Sequence, residues 1–373
     1  MTPAHAPLGL YVHLPFCRAK CTYCAFAIST DHGLEGQYAE ALLTELDLRR
    51  IEVPAVDTVF FGGGTPSLFR AERLRQVIER IRQLYSISSG AEISLEANPE
   101  DVSAESIAGW ISLGINRLSI GVQSLSDEEL YPLGRGHARS SAIAALAAAS
   151  RSGLRVSADL ILGLPGQDER SFRESLGTVL ETGLGHVSLY ILDLEPGSAL
   201  ERHVSSGRTR LPEDELTAAL YHAAVEMTRS AGLEQYEVSN FARPGEESVH
   251  NLRYWNRLPY LGIGLGAHSF VGSRREANTR EIGEYISKLR SGQTAIVSSE
   301  TLSDENQRHE ELFLGLRQAA GLRYADLVRL CGTEGERWIS RGVEEGWLRR
   351  SGERVALTPE GFLVSNELIS QLF

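Results

Sequence analysis

From Leu8 to about Asp193 the chain alternates short β-branched apolar runs with longer stretches whose apolar residues recur every three or four positions. A period near two predicts strands and a period near 3.6 predicts helices, so the alternation predicts repeated βα units around a parallel sheet. Strands are predicted over 8–14, 58–61, 92–95, 117–120, 155–162 and 186–192, with helices over 36–50, 68–85, 104–113, 138–150 and 171–182. Ser67 is the expected cap of the second helix, and Gly114 the stop of the third. Six strands make an α/β fold, a partial (β/α)6 TIM-like barrel.

Beyond Asp193 the rhythm changes. A short helix is predicted over 198–206, a long one over 212–231 stopped by Gly232, a strand over 234–241 and a loop over 243–247. The region from 280 reads as helical through 310–316. It ends in two short helices, a hairpin turned at Ser351 and Gly352, and a last helix capped by Thr358 with Pro359 at its first position. That order is winged-helix-like, an α+β extension. The expected division is a barrel core over 1–234, a barrel extension over 235–300 and an accessory domain over 301–373.

Ligands of parallel barrels bind at the carboxyl ends of the strands, and each distinctive polar or glycine cluster falls there. Cys17 to Cys24 follow the first strand, and Gly62-Gly63-Gly64-Thr65-Pro66-Ser67 follows the second. Glu96-Ala97-Asn98-Pro99 comes after the third, Gly121-Val122-Gln123 after the fourth, Asp159 within the fifth and Tyr190 at the sixth. A glycine run lets bare backbone approach a ligand, and it also serves as a plain turn.

Cys17, Cys21 and Cys24 stand within eight residues as C-x3-C-x2-C. Three thiolates on one loop suit an iron–sulfur cluster, with one iron left open. Structural zinc prefers four ligands, a disulfide leaves one thiol over, and a redox pair at Cys21 and Cys24 leaves Cys17 without a role. The spacing favours the cluster over these three. Cys331, far from the rest, reads as a small buried hydrophobe.

The 373 residues carry 37 basic and 49 acidic side chains, a formal charge of −12, so the molecule as a whole repels a phosphate backbone. Nucleic acid is not an expected partner: basic residues come only in short pieces such as Arg274-Arg275 and Arg349-Arg350. The amino end has no signal-peptide pattern and no apolar run spans a bilayer, which predicts a cytoplasmic protein whose thiols stay reduced. In His250-Asn-Leu-Arg-Tyr254-Trp255 an imidazole stands beside two large aromatics. Composition alone reads it as a core histidine; a haem ligand is the sharper alternative. His268, in the glycine-lined 260–269 segment, is a second one.

The cysteine loop resembles that of the radical S-adenosylmethionine (SAM) superfamily, and the contexts E-x-N-P, G-V-Q, L-G-R and D-L-I-x-G-L-P resemble those of its coproporphyrinogen III oxidase-like family. The resemblance implies a 4Fe–4S cluster on Cys17, Cys21 and Cys24 whose open iron binds SAM, a source of a 5′-deoxyadenosyl radical on reduction. It implies a SAM site at Tyr11, Tyr23, Gly63, Gly64, Thr65, Glu96, Gln123, Arg135 and Asp159. Taken singly, each of these polar residues is also an ordinary structural group. The H-N-x-x-Y-W run resembles the motif of the family's haem-chaperone branch. That implies haem contact at His250, Tyr254 and Trp255, with His268 kept as the second candidate from its glycine-lined segment, and delivery to an acceptor such as a respiratory cytochrome. The oxidase branch has a further cysteine where this chain has Phe26, and a long amino-terminal arm where this chain has about ten residues before its first strand. Both departures count against oxidative decarboxylation of propionates to vinyls, the alternative activity. A tRNA-modifying activity is disfavoured by the acidic charge.

Overall fold

The computed structural model describes residues 6–373. Strands β1 (Leu8–Leu14), β2 (Val56–Gly63), β3 (Ile87–Ala97), β4 (Arg117–Gln123), β5 (Arg155–Leu162) and β6 (His186–Ile191) pair in parallel, in chain order. Their period of two separates two environments. Leu8, Leu10, Val12 and Leu14 of β1 join a buried apolar layer with Leu42 and Leu46 of helix Glu35–Leu48 and Val77 and Ile81 of helix Ala71–Leu84. The opposite face is polar. Ser119 and Ser157 both donate to Asp159, and His186 meets Ser157. A filled barrel packs that face with branched apolar side chains; here it carries hydrogen-bonded polar ones.

The barrel does not close. Beyond β6 run the short antiparallel strands β7 (Glu234–Gln235) and β8 (Asn240–Ala242), while β9 (Tyr260–Ile263) lies parallel to β1 on the other side. Beyond it come β10 (His268–Val271), β11 (Arg274–Asn278) and β12 (Ile296–Thr301), antiparallel to one another. These twelve strands form one open sheet edged by β12 and β7. The predicted strand over 234–241 is thus two short ones. The ribbon β10–β12 lies where a helical region or no element was expected, because its Arg-, Glu- and Ser-rich segments carry no apolar alternation.

One cap differs from the sequence expectation. Ser67 sits in a 3-10 turn, donates to Asp101 at 2.7 Å and caps nothing; the helix starts at Ala71 without a side-chain cap. Its hydroxyl is spent tying the glycine run to the β3 end.

Helix Val249–Trp255, capped by Ser248, closes the amino-terminal end of the barrel. Backbone N–H groups of Val249 and His250 donate to Glu92 at 3.2 and 3.0 Å. Glu92 and Thr58 both lie well before the carboxyl ends of their strands. Arg253 lies across β1 where a side chain on Gly9 would stand, donates to the carbonyls of Pro7 and Pro259, and pairs with Asp57.

The carboxyl-terminal unit has its own three-stranded sheet, β13 (Leu322–Arg323), β15 (Arg354–Leu357) and β14 (Leu348–Ser351) in that order. Helix Tyr324–Glu344 packs on it, broken at Gly332 where φ is +61°. Thr358 caps the helix Pro359–Leu363 by accepting from Gly361 N.

Removing Arg253 leaves Asp57 and the Pro7 carbonyl without their donor in the barrel floor, and leaves the Pro259 carbonyl with Gly9 N alone. Arg253→Ala is expected to lose about 3 kcal/mol or more of stability, read as a lowered urea midpoint at unchanged slope. An unchanged midpoint would mean that the floor does not depend on this plug.

Candidate functional site

The loop bearing Cys17, Cys21 and Cys24 has almost no regular structure of its own and is fastened by its neighbours. Cys17 N donates to Ser29 O at 3.0 Å, Thr22 N to Leu133 O at 3.0 Å, and Leu200 N to Thr22 O at 2.8 Å. Thr22 Oγ1 donates to Pro132 O at 2.9 Å. The loop is thereby held between the ends of β1 and β4 and the helix Ala199–Ser205.

The thiols stay half-buried and unpaired with one another. Thr65 Oγ1 lies 3.5 Å from Cys17 Sγ, and Arg135 Nη1 lies 3.7 Å from Cys21 Sγ. Burial pushes Cys17 up to about 11, against the Thr65 hydrogen bond, and the other two sulfurs raise it further. Burial also raises Cys24. An activated redox thiol needs a lowered pKa, so neither residue is poised as a nucleophile; both would surrender protons to a metal. Among the described residues no three side chains form a ready-made metal cage. Ligation rests on the donor set, three sulfurs on one loop beneath a guanidinium.

The expected SAM residues gather around this loop. Arg135 Nη2 donates to Asn98 Oδ1 and to Gly121 O, each at 2.7 Å, while its buried Nε has no partner. A buried N–H left open beside the sulfurs fits an anionic ligand or cluster sulfide. Asn98 in turn donates to Thr65 at 3.4 Å. Tyr23 lies against Arg135; burial raises its phenol to about 12. Gln123 adopts φ +64°, rare for a residue with a side chain, where β4 bulges against β5.

Gly63 N donates to Glu96 at 3.0 Å. With φ at +117°, Gly63 could not carry a side chain in any case, because the His13 ring fills that place. A side chain on Gly64 would strike the Pro15 backbone. Chain packing already demands these two glycines. Asp159, held by two serine hydroxyls, and Tyr11, which bonds His13 Nδ1 at 3.0 Å, complete the wall below.

His13 is a site residue that the sequence reading passed over. Its Nε2 contacts Ala27 O at 2.8 Å and its Nδ1 takes the Tyr11 hydroxyl, so one imidazole supports both the glycine run and the exit of the cysteine loop. Burial lowers its pKa to about 4, which keeps it neutral. The signal was present: Tyr11 and His13 are two apart on a strand and share its inner face.

Of the expected haem residues, His250, Tyr254 and Trp255 do not come together with the cysteines. His250 is buried, its Nδ1 on Thr58 Oγ1 at 2.9 Å, its Nε2 on Tyr254 Oη at 2.8 Å, and its ring stacked on Phe60. Both nitrogens are engaged, so the ring has no lone pair to offer iron in this arrangement. Trp255 ends the same helix, its carbonyl taking a hydrogen bond from Gln318 at 3.2 Å. Gly63 follows Thr58 by five residues along β2, about 16 Å of strand. His268, by contrast, is exposed at the start of β10.

Residues 11–179 match the radical SAM superfamily and residues 302–364 the HemN C-terminal domain. The chain is 35% identical to the "Heme chaperone HemW" of Synechocystis sp. over 98% of this chain and 96% of that one. The chain belongs to the HemW family. A second member, from Bacillus subtilis, is 33% identical over 96% of this chain and 97% of its own. The solved structure of the HemN coproporphyrinogen III oxidase from Escherichia coli superposes with a TM-score of 0.85 at 22% identity, covering 99% of this chain and 90% of that one, which establishes the shared fold. Radical SAM membership of this HemW-family chain implies a 4Fe–4S cluster and SAM, and the cysteine loop fits both.

Glu96 makes the site sensitive to pH. Burial, then the nearby Asp159 carboxylate, raise its pKa to about 7 against the Gly63 hydrogen bond. A carboxyl raised on folding adds stability below its unfolded pKa near 4.5 and loses it as pH rises through about 7. Buried histidines such as His13, whose pKa is lowered, act in the opposite sense over the same range, so the Glu96 contribution is read as a difference: in protein freed of iron and SAM, Glu96→Gln is expected to gain stability relative to wild type as pH rises from 5 to 7 in urea unfolding. An identical slope in the variant would contradict the assignment.

Proposed function

We propose that this HemW-family protein binds haem and hands it to an acceptor haem protein such as a respiratory cytochrome, while carrying a SAM-liganded 4Fe–4S cluster. The observation that carries the reading is the three-thiol loop at the carboxyl end of the barrel, whose next outward side chain is not a thiol but Phe26, 66% exposed. An aromatic side chain left in water beside the cluster loop offers a face to a large planar ligand.

In this reading Cys17, Cys21 and Cys24 hold the cluster, and Arg135, Thr65, Glu96 and Asp159 orient SAM, which with the reduced cluster supplies radical chemistry when bound. Tyr11, Tyr23, Gly63, Gly64 and Gln123 shape the same cavity. The barrel core takes residues 1–234 and its extension 235–300. The unit from 301 onward is where the acceptor docks, and it is no nucleic-acid reader, since the chain carries −12. Among the described residues no helix is long and apolar enough to cross a membrane. We place the protein in the cytoplasm, where thiols stay reduced.

Titrating haem into anaerobically reconstituted protein is expected to give a Soret band distinct from free haem, with transfer to an apo-cytochrome and no vinyl product from coproporphyrinogen. Absence of the band together with decarboxylation of coproporphyrinogen would reverse the proposal in favour of an oxygen-independent dehydrogenase.

A further inference from the structure

The two histidines of the haem reading occupy unequal positions. His250 is enclosed, with both ring nitrogens hydrogen-bonded inside the barrel floor. Its helix serves as a plug: Arg253, one turn further on, is pinned to Asp57 and two backbone carbonyls. To reach iron, His250 would have to abandon Thr58, Tyr254 and the stack on Phe60 together. Tyr254 is engaged likewise, edge-on to His250 and to Tyr260 with ring centres 5.0 and 4.6 Å away.

His268 differs on each count. It begins β10, its side chain is exposed, and the influences on its ring are partial burial and the charges of Arg275 and Arg280, with no hydrogen bond among them. All three influences lower its pKa, so the ring is neutral and carries a lone pair at neutral pH.

The surface around His268 continues to the cysteine loop. Arg280 donates to Ala25 O, one residue past the last cysteine. The place where a side chain on Gly266 would stand is 3.2 Å from Ala27 Cβ and 3.5 Å from Arg280 Cγ, so the β9–β10 turn touches the loop's exit. Phe26, exposed, stands in the chain between Ala25 and Ala27, the two residues that make these contacts. An accessible imidazole, an exposed aromatic and a guanidinium with donors to spare thus share one surface at the mouth of the open barrel. Those are the three groups that an iron porphyrin with free carboxylates calls for: an axial nitrogen, a face to pack against the macrocycle, and a cation for a propionate.

We propose that His268, and not His250, supplies the protein ligand to haem iron, with Phe26 against the macrocycle and Arg280 paired with a propionate. The assignment rests on the haem reading above. It gives the H-N-x-x-Y-W helix a structural role, that of holding the floor beneath the β9–β10 hairpin that presents His268.

Full-length reconstituted wild type, His268→Ala, His250→Ala and Arg280→Ala are titrated with haemin and with haemin dimethyl ester, followed by Soret position and resonance Raman. His268→Ala is expected to bind haemin at least tenfold more weakly, to lose the nitrogen-ligated signature, and to regain it on addition of imidazole. His250→Ala is expected to keep the signature while unfolding at lower urea. Arg280→Ala is expected to weaken haemin severalfold and the ester hardly at all. Retention of the wild-type signature by His268→Ala overturns the assignment, and because that residue is exposed the variant tests it even if His250→Ala does not fold. Wild type that gives no Soret shift with either porphyrin overturns the haem reading itself, and the assignment with it.

Discussion

The arrangement depends on fastening an irregular loop. The segment that carries the three cysteines spends almost none of its backbone in helix or strand, so its polar groups need partners elsewhere. Ser29, Leu133 and Leu200 supply them through the backbone, and Pro132 adds a fourth to the Thr22 hydroxyl. Because those partners sit at the ends of different βα units, the barrel must be assembled before the loop is held. Arg135 links the two: it reaches the β4 carbonyl end, Asn98 after β3, and the Cys21 sulfur. Binding a cluster there is linked to folding of the whole sheet.

The second constraint is the polarity of the inner face. Glu96 and Asp159 lie there, partly buried, and their pKa values are raised chiefly by burial. Glu237, fully buried where the barrel meets the carboxyl-terminal unit, is likewise raised to about 7 and accepts from Ser239 N and Asn240. An enclosed carboxyl lowers stability unless something with N–H or O–H groups meets it. The open sheet, edged by β7 and β12, lets a ligand approach that face in a way a closed and filled barrel would not. Helix Val249–Trp255 blocks the opposite end and makes the cavity one-sided.

Much of this was legible in the sequence. The six parallel strands follow from the alternation, β5 with the bounds expected for it. The clustering of motifs at strand ends located the mouth. What the sequence withheld has physical causes. Ser67 reads as a cap, yet its hydroxyl is drawn to Asp101 by a tertiary contact with no local trace. The ribbon β10–β12 lacks alternation because its strands are short and largely exposed. The glycines at 63 and 64 look like ligand clearance, but the His13 ring and the Pro15 backbone already require them. His250 and His268 are both plausible ligands as letters; only burial and hydrogen bonding separate them.

The central claim is that Cys17, Cys21 and Cys24 hold a cubane cluster with one iron left for SAM. Anaerobic reconstitution followed by iron and sulfide analysis, and by electron paramagnetic resonance of the reduced protein with and without 15N-labelled SAM, tests it most directly. The account predicts about four irons and four sulfides per chain, a reduced-cluster signal that changes on adding SAM, and a nitrogen coupling from the labelled amino group. Protein that takes up zinc in place of iron, or a cluster whose signal ignores SAM, would contradict it.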